Sequence, residues 1–66
     1  MEYYTTKDGY KWEIKTKKEA QELFENDLKL YIISKVNDTE RLVYSEEDFN
    51  NIHSDEFYVE ECEQEN

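Results

Sequence analysis

The chain has 66 residues, of which 36% are hydrophobic, and a formal net charge of −10 at pH 7. This length fits one domain with a small core and leaves little room for an enclosed substrate cavity. The single cysteine, Cys62, excludes an internal disulfide, and no segment has the roughly 18 apolar residues of a membrane-spanning helix. We therefore expect one small cytoplasmic domain over residues 1–66, in which residues 60–66 are a candidate disordered acidic tail.

A β-hairpin is the first predicted element and covers residues 3–14. Asp8-Gly9 is a turn dipeptide favoured in two-residue hairpin loops, and tyrosine and other strand formers flank it. A two-residue loop at this place pairs Tyr3 with Ile14. Because side chains alternate along a strand, this register puts four residues on the core face: Tyr3, Tyr10, Trp12 and Ile14.

An amphipathic helix is predicted next. Thr16 and Glu19 have the spacing of a capping box, with Thr16 as the N-cap and Glu19 at the third helical position. The apolar residues that follow at helical spacing form one stripe that faces the sheet: Ala20, Leu23, Phe24 and Leu28.

A second hairpin is predicted over residues 30–45, with its turn at Asn37-Asp38. Pairing about this turn places Ile33 opposite Leu42. A second apolar set lies on the opposite face: Leu30, Ile32, Val36 and Val43. Since both faces are partly apolar, the strands either sit in the middle of a sheet or pack one face on a second subunit.

The last predicted elements are a short helix and a short strand. Ser45 with Asp48 provides a second N-terminal cap, and the helix that follows contributes Phe49 and Ile52 to the core. Residues 57–59 have the composition of a strand. The order ββαββ-α-β predicts an α+β fold: an antiparallel sheet of two hairpins with one main helix packed on it, a short second helix and a short C-terminal strand.

No catalytic, cofactor-binding or metal site is predicted, and we expect a protein that is not an enzyme. Cys62 and His53 are the only candidates for a thiolate–imidazole pair, and the glutamates around Cys62 disfavour a thiolate. One histidine and one cysteine cannot complete a tetrahedral zinc site, and no calcium-loop motif is present. The lysines near the N-terminus are the one argument for direct nucleic-acid binding, and the net charge of −10 opposes it.

The acidic residues are concentrated in residues 45–66, which contain nine of the eighteen acids and no lysine or arginine. On a strand, Glu56, Tyr58 and Glu60 share one face, and the preceding helix projects further acids outward. This pattern predicts a ridge of carboxylates that complements the basic groove of a nucleic-acid-binding protein. The predicted partner-binding residues are Glu46, Glu47, Asp48, Asp55, Glu56, Glu60 and Glu61, with Tyr44 and Tyr58 as aromatic anchors.

In its size, acidity, lack of cysteine pairs and Tyr/Glu-rich α+β layout, the sequence resembles the small inhibitors made by phages and mobile elements. These include anti-CRISPR proteins, anti-restriction proteins and uracil-DNA glycosylase inhibitors, several of which mimic DNA. The resemblance covers the whole chain and rests on no single motif. It implies a phage- or mobile-element-encoded inhibitor that blocks a host nucleic-acid-acting or defence protein with a basic surface, and that itself binds neither nucleic acid nor membrane.

An alternative role stays open from the sequence. In it, the chain is an accessory or homodimeric protein-interaction module whose acidity serves only solubility. The contact would then be the apolar sheet face around Leu30, Ile32 and Val43.

Overall fold

The computed structural model describes residues 2–62 and shows one antiparallel sheet with helices packed on one of its faces. The predicted α+β fold is confirmed. The strands are β1 (Glu2–Thr5), β2 (Lys11–Lys15), β3 (Tyr31–Ser34), β4 (Thr39–Leu42) and β5 (Glu56–Glu61), and the helices are α1 (Lys17–Glu25) and α2 (Glu46–Asn50).

The strand predicted last in the chain, β5, lies at the centre of the sheet. The strand order is β1-β2-β5-β3-β4, so each hairpin pairs with one side of β5 and the two hairpins do not pair with each other. Phe57, Tyr58 and Val59 put apolar side chains on both faces, which is the composition that a central strand requires. Glu60 and Glu61 belong to β5 and are not part of a disordered tail, while residues 63–66 lie outside the described residues.

The first hairpin turns through a three-residue loop, residues 7–9, and the predicted two-residue loop is wrong. The Thr6 N–H donates to the Tyr10 carbonyl oxygen at 2.9 Å and so closes the loop one residue earlier than expected. Gly9 adopts φ +88°, the left-handed conformation that three-residue hairpin loops place before the second strand.

The longer loop shifts the strand pairing by one residue, so the predicted core face of β1 is also wrong. Tyr4, not Tyr3, shares a face with Trp12. A one-residue shift exchanges the two faces of a strand, because side chains alternate. Tyr3 lies on the opposite face with the Lys11 ammonium 4.2 Å from its ring centroid, and Tyr10 is exposed.

Helix α1 begins with the predicted capping box. The Glu19 N–H donates to Thr16 Oγ1 at 3.2 Å, and the Thr16 N–H donates to Glu19 Oε1 at 3.0 Å. The apolar stripe is confirmed for the residues inside the helix, and it is wrong for Leu28. The helix ends at Glu25, and Asp27 turns the chain with φ +58°, which leaves Leu28 55% exposed.

The second hairpin turns through four residues, 35–38, so its pairing is shifted by two residues from the predicted one. Tyr31 lies opposite Leu42, and Ser34 lies opposite Thr39. A shift of two residues keeps every side chain on its face, which is why the predicted faces are confirmed within the strands. Val36 lies in the turn and is exposed, so its predicted place in the apolar set on one strand face is wrong.

The core lies on both faces of the sheet. On the helix side, α1 and α2 cover a cluster that the second hairpin and β5 complete: Ala20, Leu30, Ile32, Val43, Phe49 and Tyr58. The Asp48 N–H donates to Ser45 Oγ at 3.2 Å, which confirms the predicted cap of α2. On the other side of the sheet, the buried residues are Trp12, Ile33 and Val59. Four partly buried side chains pack against them: Tyr4, Ile14, Tyr31 and Phe57.

We call the face of the sheet opposite the helices the inner face. Asp38, in the turn between β3 and β4, accepts hydrogen bonds from the Tyr4 hydroxyl at 2.5 Å and from the Lys7 N–H at 2.9 Å. In a flat sheet β1 and β3 would lie about 14 Å apart, at the usual spacing of neighbouring strands. The long Tyr4 side chain and the position of Asp38 in a turn bring the two groups into contact across this distance. On the same face, the Trp12 and Tyr31 ring centroids lie 5.0 Å apart, edge to face.

Candidate functional site

The predicted acidic ridge is divided by the sheet itself. Glu56, Tyr58 and Glu60 share a face, as predicted, but this face packs beneath the helices. Glu61 is the next residue along β5 and lies opposite Trp12 on the inner face. Because neighbouring residues of a strand point in opposite directions, these carboxylates do not form one ridge.

Glu56 and Glu60 are ion-paired within the chain. Glu60 lies 3.6 Å from the Lys15 ammonium, which also contacts a second glutamate on β2, and Glu56 lies 3.4 Å from the Arg41 guanidinium. Burial raises the pKa of the Glu56 carboxyl, but hydrogen bonds from the His53 N–H and Arg41 outweigh it, so that the pKa is lowered overall. Both carboxylates therefore stabilise the helix side of the sheet.

Asp55 and Asp48 also have structural partners. Asp55 accepts a hydrogen bond from Ser34 Oγ at 2.8 Å, and this bond lowers the pKa of its carboxyl. Asp48 accepts from the Tyr44 N–H at 3.2 Å and completes the start of α2. These two acids fix a turn and a helix end, where side-chain oxygens satisfy backbone and hydroxyl donors.

The two predicted aromatic anchors have opposite environments. Tyr58 is 6% exposed and its hydroxyl donates to the Phe49 carbonyl oxygen at 2.7 Å, so its prediction as a partner contact is wrong. Tyr44 is 80% exposed, beside the exposed Glu46 and Glu47 in the first turn of α2. Tyr44, Glu46 and Glu47 remain accessible to a partner.

The apolar sheet face that would form the contact in the alternative role is also not accessible to a partner. Leu30, Ile32 and Val43 are all buried in the helix-side cluster. Because α1 and α2 of the same chain cover this face, a second subunit cannot pack on it without displacing them. The proposed dimer contact at these residues is therefore wrong.

A cavity opens on the inner face that the sequence did not predict. It has a volume of about 290 Å³ and combines three aromatic rings with four acidic side chains. Within the described residues no lysine, arginine or histidine lines it. The lining residues are Thr6, Asp8, Tyr10, Trp12, Tyr31, Asp38, Glu40 and Glu61.

The acids of the cavity differ in their roles. Asp38 is engaged with Tyr4 and Lys7, and the hydrogen bond from Tyr4 is the main reason why the pKa of the Asp38 carboxyl is lowered. The same bond raises the pKa of the Tyr4 phenol. Glu40 and Glu61 are exposed and lie on the inner face, since they pair with inner-face positions of β3 and β2.

Trp12 forms the aromatic floor of the cavity. It is 4% exposed and lies between Tyr31 and Tyr10, whose ring centroids are 5.0 and 6.3 Å from its own. The indole N–H of Trp12 has no hydrogen-bond acceptor among the described residues. Buried polar groups normally have a partner, so this unpaired donor is unusual, but its nitrogen is itself buried and is not accessible from the cavity.

The two residues considered for catalysis lie at opposite ends of β5. Cys62 is half-buried at the end of β5, and His53 is exposed in the loop after α2. Among residues 2–62, no group of three or more His, Cys, Asp or Glu side chains is arranged so that it could hold a metal ion.

Comparisons of the chain with protein-family models, curated proteins and solved structures gave no match. Within residues 2–62, no helix has the length and apolar character needed to cross a bilayer. The accessible acids and the cavity of the inner face are the features of the described residues that suggest a function.

Proposed function

We propose that the protein is a small acidic inhibitor that binds the basic surface of a nucleic-acid-acting or defence protein and thereby excludes nucleic acid from it. The observation that carries this proposal is the charge of the inner-face cavity, which four carboxylates line without a cationic side chain among the described residues. The proposed contact residues are Asp8, Glu40 and Glu61, which are exposed at the cavity.

The electrostatics favour a basic protein and disfavour nucleic acid. A net charge of −10 repels phosphate and attracts a positively charged groove, which speeds the association of the two proteins. Clustered carboxylates destabilise a fold by mutual repulsion, and a cationic partner would relieve that repulsion. The carboxylates that the chain neutralises itself, Glu56 and Glu60, lie on the other side of the sheet.

The proposed setting follows from the resemblance to phage-encoded inhibitors. Such an inhibitor acts in the cytoplasm of the infected cell, where its target binds DNA or RNA. The exposed α2 residues Tyr44, Glu46 and Glu47 give a second accessible acidic surface, on the helix side of the molecule. The inner-face cavity joins four carboxylates to three aromatic rings, and no lysine, arginine or histidine among the described residues lines it, so we place the main contact there.

A pull-down from bacterial lysate tests the proposal. The immobilised protein is washed at about 0.1 M and then about 0.5 M salt, because salt screens contacts between exposed charges. The bound proteins are then challenged with double-stranded DNA and identified by mass spectrometry. We expect a nucleic-acid-binding protein that DNA or high salt releases.

A matched pair of variants shows which surface is used. Glu40→Gln with Glu61→Gln removes two charges at the cavity, and Glu22→Gln with Glu25→Gln removes two exposed charges from α1. Loss of the partner with the first variant and retention with the second supports the proposal. Equal loss with both would mean that only the overall charge matters, and a partner that DNA does not displace would contradict the inhibitory mechanism.

A second candidate function is a protein-interaction module that uses a different apolar contact. Leu28 and Tyr44 are exposed and line a shallow depression together with Leu42 and Val43. Exposed apolar residues that share one depression are typical of protein contacts. A solution mass of twice the monomer that Leu28→Glu reduces to the monomer would favour this role, and a monomer in the unchanged protein would exclude the homodimer.

A further inference from the structure

The cavity of the inner face sets chemical requirements for its occupant. Asp8, Glu40 and Glu61 present exposed carboxylates, so the occupant must carry positive charge. Asp38 adds negative charge from a fixed position, since Tyr4 and Lys7 hold both of its oxygens. A neutral or anionic ligand would leave these carboxylates crowded and without a counter-charge.

The aromatic lining narrows the choice of cation. Tyr10, Trp12 and Tyr31 line the same cavity as the carboxylates. A planar guanidinium stacks on aromatic rings and donates paired hydrogen bonds to carboxylates, whereas an ammonium group acts as a compact, strongly hydrated point charge. A lining that joins rings to carboxylates therefore favours arginine over lysine.

The volume of the cavity agrees with a single side chain. At about 290 Å³ it lies just below the range of about 300–1,000 Å³ that small-molecule sites occupy. The carboxylates at its rim are exposed, so a side chain can enter from a partner's surface without an opening of the fold.

We propose that this cavity binds one arginine side chain of the partner protein, with the guanidinium stacked on the aromatic lining and paired with Glu40 and Glu61. This inference rests on the proposed function, because it assigns the group that the basic partner inserts. Nucleic-acid-binding surfaces are rich in arginine for the same guanidinium chemistry, which recognises phosphate.

The fluorescence of Trp12 provides a direct test without knowledge of the partner. The chain has one tryptophan, so its emission reports on this cavity alone. The probes are three blocked tripeptides, acetyl-Gly-X-Gly-amide, in which X is arginine, lysine or citrulline. Citrulline keeps the planar side chain and removes the charge. We expect the arginine peptide to change the emission saturably and to bind roughly tenfold more tightly than the citrulline peptide, the effect of one moderate ionic contact.

Two variants localise the binding. The double variant Glu40→Gln, Glu61→Gln should bind the arginine peptide roughly tenfold or more weakly, which corresponds to the loss of one or two ionic contacts. The double variant Glu22→Gln, Glu25→Gln, on the helix side, has the same net charge as the cavity variant. It should bind the arginine peptide as tightly as the unchanged protein does. The circular dichroism of both variants is compared first, and a folded α1 variant with weakened binding would overturn the assignment to the cavity.

The remaining outcomes separate this inference from the proposed function. Equal binding of the lysine peptide would overturn the choice of arginine, and equal binding of citrulline would overturn the ionic contact. If no peptide changes the emission but DNA releases a captured partner, the arginine site is wrong and the inhibitor function stands. If the arginine peptide binds and no DNA-displaceable partner is found, the site stands and the inhibitor function is wrong.

Discussion

The phenol of Tyr4 donates a hydrogen bond to Asp38, 34 positions later in the chain, and so joins the first hairpin directly to the turn of the second. The two hairpins share no strand pairing, since β5 lies between them. The Lys7 N–H donates to the same carboxylate. The shape of the cavity therefore depends on two hydrogen bonds to Asp38, one from a strand and one from the turn of the first hairpin, as well as on the buried aliphatic residues beneath it.

Asp38→Asn should lower the melting temperature at neutral pH and have little effect at acidic pH. The pKa of the Asp38 carboxyl is lowered in the folded protein, first by the Tyr4 hydrogen bond and then by the Lys7 N–H. A lowered pKa stabilises the fold above the unfolded-state pKa of about 3.9 and ceases to do so as the pH falls through the folded-state pKa. Thermal unfolding of both proteins from neutral to strongly acidic pH measures this difference.

Asp8→Asn is the control for this experiment, because Asp8 lines the same cavity at its exposed rim. It should leave the pH dependence of the melting temperature close to that of the unchanged protein. If the melting temperature of Asp38→Asn stays equally far below that of the unchanged protein at acidic pH, the stabilising contact of Asp38 with Tyr4 does not depend on the ionised carboxylate.

Tyr58→Phe should lower the free energy of unfolding by about 1–2 kcal/mol, because it removes a buried donor and leaves the Phe49 carbonyl oxygen without its partner. Tyr44→Phe makes the same chemical change at a residue that is 80% exposed, and should have no measurable effect. Urea unfolding monitored by circular dichroism measures both. Equal effects of the two changes would contradict the opposite environments of these tyrosines.

Gly9→Ala should destabilise the protein by about 1–2 kcal/mol, which is the cost of placing an L-residue in the left-handed conformation. A Cβ atom at Gly9 would meet nothing within 4 Å, so the strain would come from φ +88° alone. Gly9→Asn should have a smaller effect, because asparagine tolerates this conformation better. If alanine and asparagine are equally harmful in urea unfolding, the loop does not require the left-handed backbone.

Glu60→Lys and Glu61→Lys should affect different properties, although the two residues are adjacent. Glu60→Lys places a second ammonium group beside Lys15 and should lower the free energy of unfolding by roughly 1 kcal/mol, because it replaces an ion pair with a repulsion. Glu61→Lys changes an exposed inner-face residue and should preserve stability. It should also prevent the arginine peptide from changing the emission of Trp12.

These two changes revise the test that the sequence alone would suggest, which is to reverse Glu56, Glu60 and Glu61 together. Two of the three are ion-paired on the helix side, so the triple variant would lose stability and binding at once. If both variants are folded and Glu60→Lys weakens the binding of the arginine peptide as strongly as Glu61→Lys does, the site does not lie on the inner face.

The features that the sequence predicted well are those that depend on neighbours in the chain. The capping box of Thr16 and Glu19 and the cap at Ser45 are set within four residues, and both are confirmed. The faces of the second hairpin are confirmed despite a wrong turn, because a shift of two residues preserves alternation. In the first hairpin a shift of one residue placed Tyr4, and not the predicted Tyr3, on the face of the sheet that Trp12 occupies.

The cavity could not be predicted, because it depends on contacts between distant parts of the chain. Asp8-Gly9 fits both a two-residue and a three-residue loop, and only the second puts Tyr4 within reach of Asp38. The position of β5 between the hairpins decides that Glu61 lies opposite Trp12. Of the four acids that line the cavity, only Glu61 belonged to the predicted partner-binding set.

During synthesis, both hairpins leave the ribosome before the strand that joins them. Each is then a two-stranded ribbon, which is marginally stable in water by itself. Until residues 56–61 have emerged, the inward edges of β2 and β3 lack their hydrogen-bonding partner and their apolar faces lack a neighbour. The nascent chain is therefore exposed to aggregation and proteolysis until residues 56–61 have emerged and paired with both hairpins.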